Sequence, residues 1–197
     1  MARALGRRSR KRPSIPAVPA SIIGWIAARL LSQQKLQKAA VGDVCMSVDF
    51  YVAMPAANWP TASAVQRCLS DHAYPVHIKR FPTLKGGRVV NDGALALIDG
   101  KEAYLEGELA PASAISADVR SINERLATAS AAERIGATDV IMTFRTRSAT
   151  EMRAASYVIS ALIVCFNGLG FEPQGNTHGR ASFARAIIEG AEALKDL

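Results

Sequence analysis

The chain has 197 residues, of which 49% are hydrophobic and 21% charged, a composition that favours a packed globular protein over a disordered one. Its formal net charge of +7 is unevenly distributed. Residues 1–45 contain nine basic residues and one acidic residue, whereas the other 152 residues contain 15 basic and 16 acidic ones. The net charge therefore does not indicate that the body of the chain binds nucleic acid.

Residues 1–45 form a basic leader with an arginine-rich run at 7–12, and the prolines that follow this run disfavour regular structure. The pattern over 22–40 predicts one amphipathic helix, which Arg29 makes too polar to span a membrane. A segment of this kind can contact an anionic membrane surface or nucleic acid, or serve as a targeting segment. We favour a fourth interpretation, in which translation begins at Met46 and the leader is an upstream extension.

Residues 46–197 predict a single domain of the α+β class, because strand-like alternation and helix-like periodicity follow one another along the chain. The predicted order is β-α-β-β-β-α-β-α-(β)-α. We expect a mixed or antiparallel sheet of about five strands, with the helices packed mainly on one face. Strands are expected at 47–54, 76–81, 94–98, 101–109 and 139–144, with a short one near 171. One helix is expected to open at Asn58-Trp59-Pro60-Thr61 and to stop at Tyr74-Pro75, and three more are expected at 116–135, 150–166 and 181–194.

Two segments of this domain carry strong local signals. Asp99-Gly100 separates two apolar runs and predicts a hairpin with a type I′ turn, in which both central residues have positive φ. Residues 154–166 form an apolar run that is too short to span a bilayer. We interpret this run as part of a buried central helix.

The three cysteines, Cys45, Cys68 and Cys165, are far apart and form no Cys-x-x-Cys pair. A scattered, odd-numbered set is typical of free thiols in a reducing compartment, so we predict a cytoplasmic protein. Cys68 and His72 share a helix face, but His77 follows a helix-breaking Tyr-Pro step. Because zinc needs three or four convergent ligands, we predict no metal site. The glycine-rich motifs of nucleotide binding are also missing from the sequence, so no cofactor is predicted.

Four polar residues near predicted strand ends form the candidate binding site. Arg145 and Arg147 follow the strand at 139–144, and His178 and Arg180 lie in a glycine-rich loop. If these loops converge, the four side chains form a small anion site beside a helix N-terminus. The alternative is that all four are solvated loop residues.

Three further residues are candidates for contact with a partner. Glu106 and Glu108 lie two apart on a predicted strand, where paired carboxylates can hold Mg²⁺, act as acid and base, or keep an edge strand soluble. Trp59 precedes a predicted helix and is either an exposed interface anchor or a hydrophobic staple against that helix.

One segment resembles a group of small bacterial α+β proteins, some of which are similar to toxin-immunity proteins. The resemblance covers the strand at 139–144, the helix through 154–166 and the residues Gly168-Leu169-Gly170-Phe171-Glu172-Pro173-Gln174. In those proteins the last segment contains a Gly-Gly pair and an Asp-Pro-Gln step, whereas Leu169 separates the glycines here and Glu172 takes the place of the Asp. The resemblance implies an architecture and a protein partner, and it assigns no role to any residue.

These observations favour a non-enzymatic, cytoplasmic protein-interaction module, of which immunity-like neutralisation of a partner protein is one form. Two alternatives are kept. The first is a small enzyme or anion-binding protein that uses the loop arginines and His178. The second is an association with nucleic acid or an anionic membrane through residues 1–45.

Overall fold

The computed structural model describes residues 47–129 and 133–195, and it confirms the α+β class. The predictions for residues 1–45, including the helix at 22–40, lie outside the described residues. The strands are β1 (Val48–Pro55), β2 (Val76–Arg80), β3 (Ala94–Ile98), β4 (Lys101–Leu105), β5 (Leu109–Pro111), β6 (Asp139–Thr146), β7 (Leu169–Glu172) and β8 (Thr177–Gly179). The helices are α1 (Ala62–Asp71), α2 (Ser116–Ala129), α3 (Ala149–Phe166) and α4 (Ala181–Ala193).

The strands form two antiparallel sheets, whereas the sequence predicted one. Five strands are arranged in the order β5-β6-β1-β7-β8, and three in the order β2-β3-β4. The predicted strand at 101–109 divides at Gly107, where the chain passes from the smaller sheet to the larger one. A Cβ atom on Gly107 would lie 1.8 Å from the carbonyl oxygen of Thr143, so this close approach to β6 requires glycine.

The larger sheet has helices on both faces, because β1 is apolar on both sides. Phe50 and Val52 belong to the main core together with α3, which also contacts the smaller sheet. Ala53 belongs to a second cluster on the opposite face, where it packs with Ile122 and Leu126 of α2. The second face is therefore only partly covered, by a single helix.

The central helix α3 is the buried helix that the apolar run predicted. Ser148 and Glu151 form a capping box at its start, and Asn167 ends it in the left-handed conformation with φ of 60°. Among the described residues, α3 is the one helix whose length and composition would allow it to cross a membrane, and 67% of it is buried inside the protein. Its burial is that of a core helix, which passes the same test of length and composition.

The predicted Asp99-Gly100 turn is confirmed, since both residues have positive φ, 51° and 75°. This turn is also tied to the core. Arg153 of α3 is 9% exposed and donates a hydrogen bond of 2.6 Å from Nη1 to Oδ2 of Asp99. That hydrogen bond holds the pKa of Asp99 below its usual value. The hairpin is thereby attached to the central helix by an ion pair as well as by packing.

The prediction of free thiols is wrong for two of the three cysteines. Cys68 of α1 and Cys165 in the last turn of α3 form a disulfide across 97 residues of sequence. The pairing follows from the packing of α1 on α3. The spacing of the cysteines in the sequence does not predict this long-range contact. Cys45 lies outside the described residues. The prediction of a cytoplasmic location rested on free thiols, and the disulfide removes that support, because structural disulfides are rare in reducing compartments.

Candidate functional site

An open groove lies on the face of the larger sheet that α2 covers only in part. It has a volume of about 330 Å³ and lies between β1, β6, the segment that links β4 to β5, and the start of α2. We call it the acidic groove. It is lined by Tyr51, Asn91, Glu106, Gly107, Glu108, Ile115, Asp118, Thr143 and Arg145.

The register of β1 and β6 places polar side chains on the face of the sheet that bears the acidic groove. Asp49 lies opposite Arg145, and Tyr51 lies opposite Thr143, so all four side chains point to the same face. Arg145 donates a hydrogen bond of 2.9 Å from Nε to Oδ1 of Asp49. This hydrogen bond raises the pKa of the Arg145 guanidinium, which is therefore firmly charged.

The wall of the groove is the segment around Gly107. The backbone oxygens of Glu106 and Glu108 accept hydrogen bonds from the backbone nitrogens of Arg145 and Thr143, at 2.7 and 2.9 Å. The Glu106 carboxylate lies 3.7 Å from Nη1 of Arg145 and also pairs with Arg147. The structure thus brings together four of the residues singled out from the sequence, and it pairs the two arginines with carboxylates.

Tyr51 is half-buried among these charges. Burial raises the pKa of the Tyr51 hydroxyl, and the neighbouring carboxylates of Asp49 and Asp118 raise it further, while Arg145 opposes them. The carboxylates of Asp49, Glu106, Glu108 and Asp118 outnumber the guanidinium groups of Arg145 and Arg147, so these side chains carry a formal charge of −2. The groove therefore offers a phenol and an excess of negative charge to a ligand.

Two of these carboxylates are available to a ligand. Within 47–129 and 133–195, Glu108 and Asp118 take part in no ion pair. The acidic side chains of the groove also do not converge closely enough to form a set of three metal ligands in this part of the chain. A guanidinium or ammonium group can donate hydrogen bonds to carboxylates of this kind.

His178 and Arg180, the other half of the predicted anion site, lie elsewhere. His178 is opposite Phe171 of β7, and β7 is separated from β6 by β1. With neighbouring strands about 4.8 Å apart, about 14 Å lies between β8 and β6. Arg180 donates hydrogen bonds from Nη1 to the backbone oxygens of Asn167 and Gly168, at 2.6 and 3.2 Å. The four predicted residues are therefore not brought into one site.

His178 and Arg180 instead share a carboxylate of their own. The Nε2 atom of His178 lies 4.0 Å from Glu133, and Nε of Arg180 lies 3.9 Å from the same side chain. The Nδ1 atom of His178 is buried and has no hydrogen-bond partner among the described residues. The loop that carries His178 and Arg180 therefore does not meet the strand end that carries Arg145 and Arg147, as the predicted anion site required.

Trp59 is half-buried beside the main core. Its ring stacks on Phe81 with the ring centres 5.3 Å apart, and its Nε1 donates a hydrogen bond of 3.0 Å to the backbone oxygen of Pro82. The face of the indole ring and its N–H group therefore both contact other residues of the domain. The role of Trp59 as an interface anchor stays a prediction.

Three residues with acidic or phenolic side chains at or beside the groove, Asp49, Tyr51 and Asp118, were not singled out from the sequence. Asp49 and Tyr51 alternate with apolar residues along β1, and this alternation marks them as one face of a strand. Their clustering with Asp118 required the position of α2, to which no local signal pointed.

Comparison of the chain with protein families, with curated proteins and with solved structures finds no match. The function of the acidic groove is therefore inferred from its own residues.

Proposed function

We propose that the chain is a non-enzymatic interaction protein that binds a basic segment of a partner protein in the acidic groove. The observation that carries this proposal is an open cavity of about 330 Å³ with an excess of carboxylates around Tyr51. The domain outside the leader is nearly neutral, so the negative charge is local to this groove. Complementary charge of this kind steers a partner into one orientation.

The arrangement of charges favours a cationic ligand over an anionic one. Arg145 is held by Asp49 and Glu106, and Arg147 is held by Glu106. An anion would have to compete with these carboxylates for the arginines. A lysine or arginine side chain can instead approach Glu108 and Asp118, which have no ion-pair partner in the described residues.

The resemblance of residues 139–174 to small bacterial α+β proteins supports a partner of protein type. Some of those proteins are similar to immunity proteins, and neutralisation of a basic toxin would use a negatively charged surface. On this proposal the chain occludes a basic surface of its partner and transforms no substrate. Occlusion of a basic surface requires only a groove of suitable shape and charge, and the acidic groove has both.

The test is a titration of the full chain with a fluorescent arginine-rich decapeptide at low salt, followed by fluorescence anisotropy. Glu108→Gln and Asp118→Asn should each weaken binding about two- to fivefold, the range expected for one exposed ion pair. The double variant should weaken binding more than either single variant, because both carboxylates line the groove.

The matched control is the double variant Glu102→Gln with Asp71→Asn, which removes the same charge from exposed positions outside the groove. Its affinity should stay within twofold of that of the natural chain. Equal weakening by the control and by the groove variant would overturn the proposal, since only net charge would then matter. Failure of the natural chain to bind the peptide would overturn it as well.

A further inference from the structure

A second cluster of reactive side chains lies where the end of α1 meets the last turn of α3. Cys68 and His72 are four residues apart, so they share one face at the C-terminal end of α1. Cys165 approaches them from α3. The two sulfur atoms and a ring nitrogen of His72 all lie within 4.8 Å of one another. His77, the third residue of the set weighed from the sequence, is exposed on β2, and Cys165 takes its place.

This donor set suits zinc. Thiolate sulfur and imidazole nitrogen are the usual ligands of zinc, at about 2.3 Å and 2.0–2.1 Å. Atoms that already lie within 4.8 Å of one another can reach these distances by rotation of side chains once the two sulfurs are no longer bonded to each other. Cys165 and His72 are exposed, whereas Cys68 is buried, so the fourth position of the metal would face solvent.

We propose that Cys68, Cys165 and His72 form a redox-gated zinc site. In the oxidised chain both sulfurs are consumed by the disulfide, and no thiolate is present to bind a metal. In the reduced chain the two thiolates and the imidazole bind one Zn²⁺, with a water molecule or a ligand from a partner at the fourth position. The link between α1 and α3 is therefore kept in both states, as a covalent bond in one and as a metal bridge in the other.

The gate is opened by a dithiol reductant. A thiolate of the reductant attacks the exposed Cys165 sulfur, the bond between the two sulfurs breaks, and Cys68 leaves as a thiolate that takes up a proton. The second thiol of the reductant then displaces Cys165, so the reductant becomes a disulfide and the chain gains two electrons and two protons. The Cys68 thiol finds an acceptor in the backbone oxygen of Ala161, 3.6 Å away. Binding of Zn²⁺ releases one proton from each thiol.

The position of His72 is supported by its neighbours. Its ring stacks on Tyr74 with the ring centres 5.4 Å apart, and Tyr74 in turn packs against Tyr157 of α3. The Tyr157 hydroxyl donates a hydrogen bond to the carboxylate of Glu192 of α4, so this row of rings is anchored to two helices. The imidazole is thereby held beside the sulfurs before any metal binds, which lowers the ordering cost of binding.

The test uses the full chain with Cys45→Ala, which leaves only the two cysteines of the cluster. The chain is reduced with a phosphine, freed of reductant under anaerobic conditions, and titrated with Co²⁺ as a spectroscopic substitute for zinc. The expected result is thiolate-to-cobalt charge-transfer absorption and the intense bands of tetrahedral cobalt, saturating at one ion per chain and displaced by Zn²⁺. The oxidised chain should show none of these bands.

Two histidine variants make the test specific. His72→Ala should weaken Co²⁺ binding at least about tenfold, the lower limit for loss of even an outer partner of a metal site. His77→Ala removes an exposed histidine outside the cluster and should leave binding unchanged. Both variants should still form the disulfide and keep the circular dichroism of the natural chain, because both side chains are exposed. Absence of the cobalt bands in the reduced chain would overturn the proposal, and so would equal binding by the His72→Ala and natural chains.

Discussion

Removal of the disulfide should destabilise the domain by a predictable amount. The bond between Cys68 and Cys165 closes a loop of 97 residues. In the chain-entropy model a loop of roughly 100 residues corresponds to about 4.7 kcal/mol of stability, and disulfides typically contribute 2–4 kcal/mol. We therefore expect Cys165→Ser to lower the free energy of unfolding by about 2–5 kcal/mol. Since domains of this size are stable by about 5–15 kcal/mol, the variant should still fold.

Cys165 is the better position to change, because it is exposed and a serine hydroxyl there is hydrated. Cys68 is only 4% exposed, so a serine at that position would add the separate cost of a buried hydroxyl. The comparison between the natural chain and Cys165→Ser therefore isolates the covalent link.

The assay is urea unfolding of the full chain, followed by far-ultraviolet circular dichroism, with and without a phosphine reductant and with a chelator present throughout. Reduction should lower the urea midpoint of the natural chain to that of Cys165→Ser, and it should leave the variant unchanged within about 0.5 kcal/mol. Unfolding of the oxidised natural chain and the variant at the same midpoint would contradict this prediction. Equal destabilisation of both chains by reduction would contradict it as well.

Two further predictions concern the groove wall and the buried tyrosine. Gly107→Ala should lower the free energy of unfolding by about 1–3 kcal/mol, measured by urea unfolding, because the new methyl group would collide with the Thr143 carbonyl. Gly136→Ala is the control: its methyl group would meet only ordinary contacts, so it should change the free energy of unfolding by less than about 0.5 kcal/mol. Burial and the hydrogen bond with Glu192 raise the pKa of Tyr157 above the usual value of 10.0, so the folded state keeps a proton that the unfolded state loses. Stability should therefore fall as the pH rises above about 10, and Tyr157→Phe should lose less over that range; an equal loss in both chains would contradict the assignment.

The parts of the fold that depend on local sequence could be predicted. The type I′ turn at Asp99-Gly100 follows from two residues that tolerate positive φ, and α3 follows from a long apolar run behind Ser148 and Glu151. The alternation of residues over 47–54 likewise predicted the strand β1. In each case, residues that are adjacent in the sequence determine the local backbone conformation.

The parts that depend on tertiary contacts could not be predicted from one sequence. The division into two sheets depends on the approach of Gly107 to Thr143, which are 36 positions apart. The disulfide depends on the packing of α1 on α3, and nothing near either cysteine encodes that packing. The acidic groove depends on the pairing of β1 with β6, which places Asp49 beside Arg145 across 96 residues. Local patterns therefore identified most of the elements but not the functional surface.

The most direct test of the proposed function is to locate the bound peptide on the domain. Amide NMR spectra of the isotopically labelled full chain are recorded as the arginine-rich decapeptide is added. We predict the largest shift changes at Tyr51, Glu108, Asp118 and Thr143, with little change on β2, at the far edge of the smaller sheet. Changes centred on β2, or spread evenly over the surface, would contradict binding in the acidic groove.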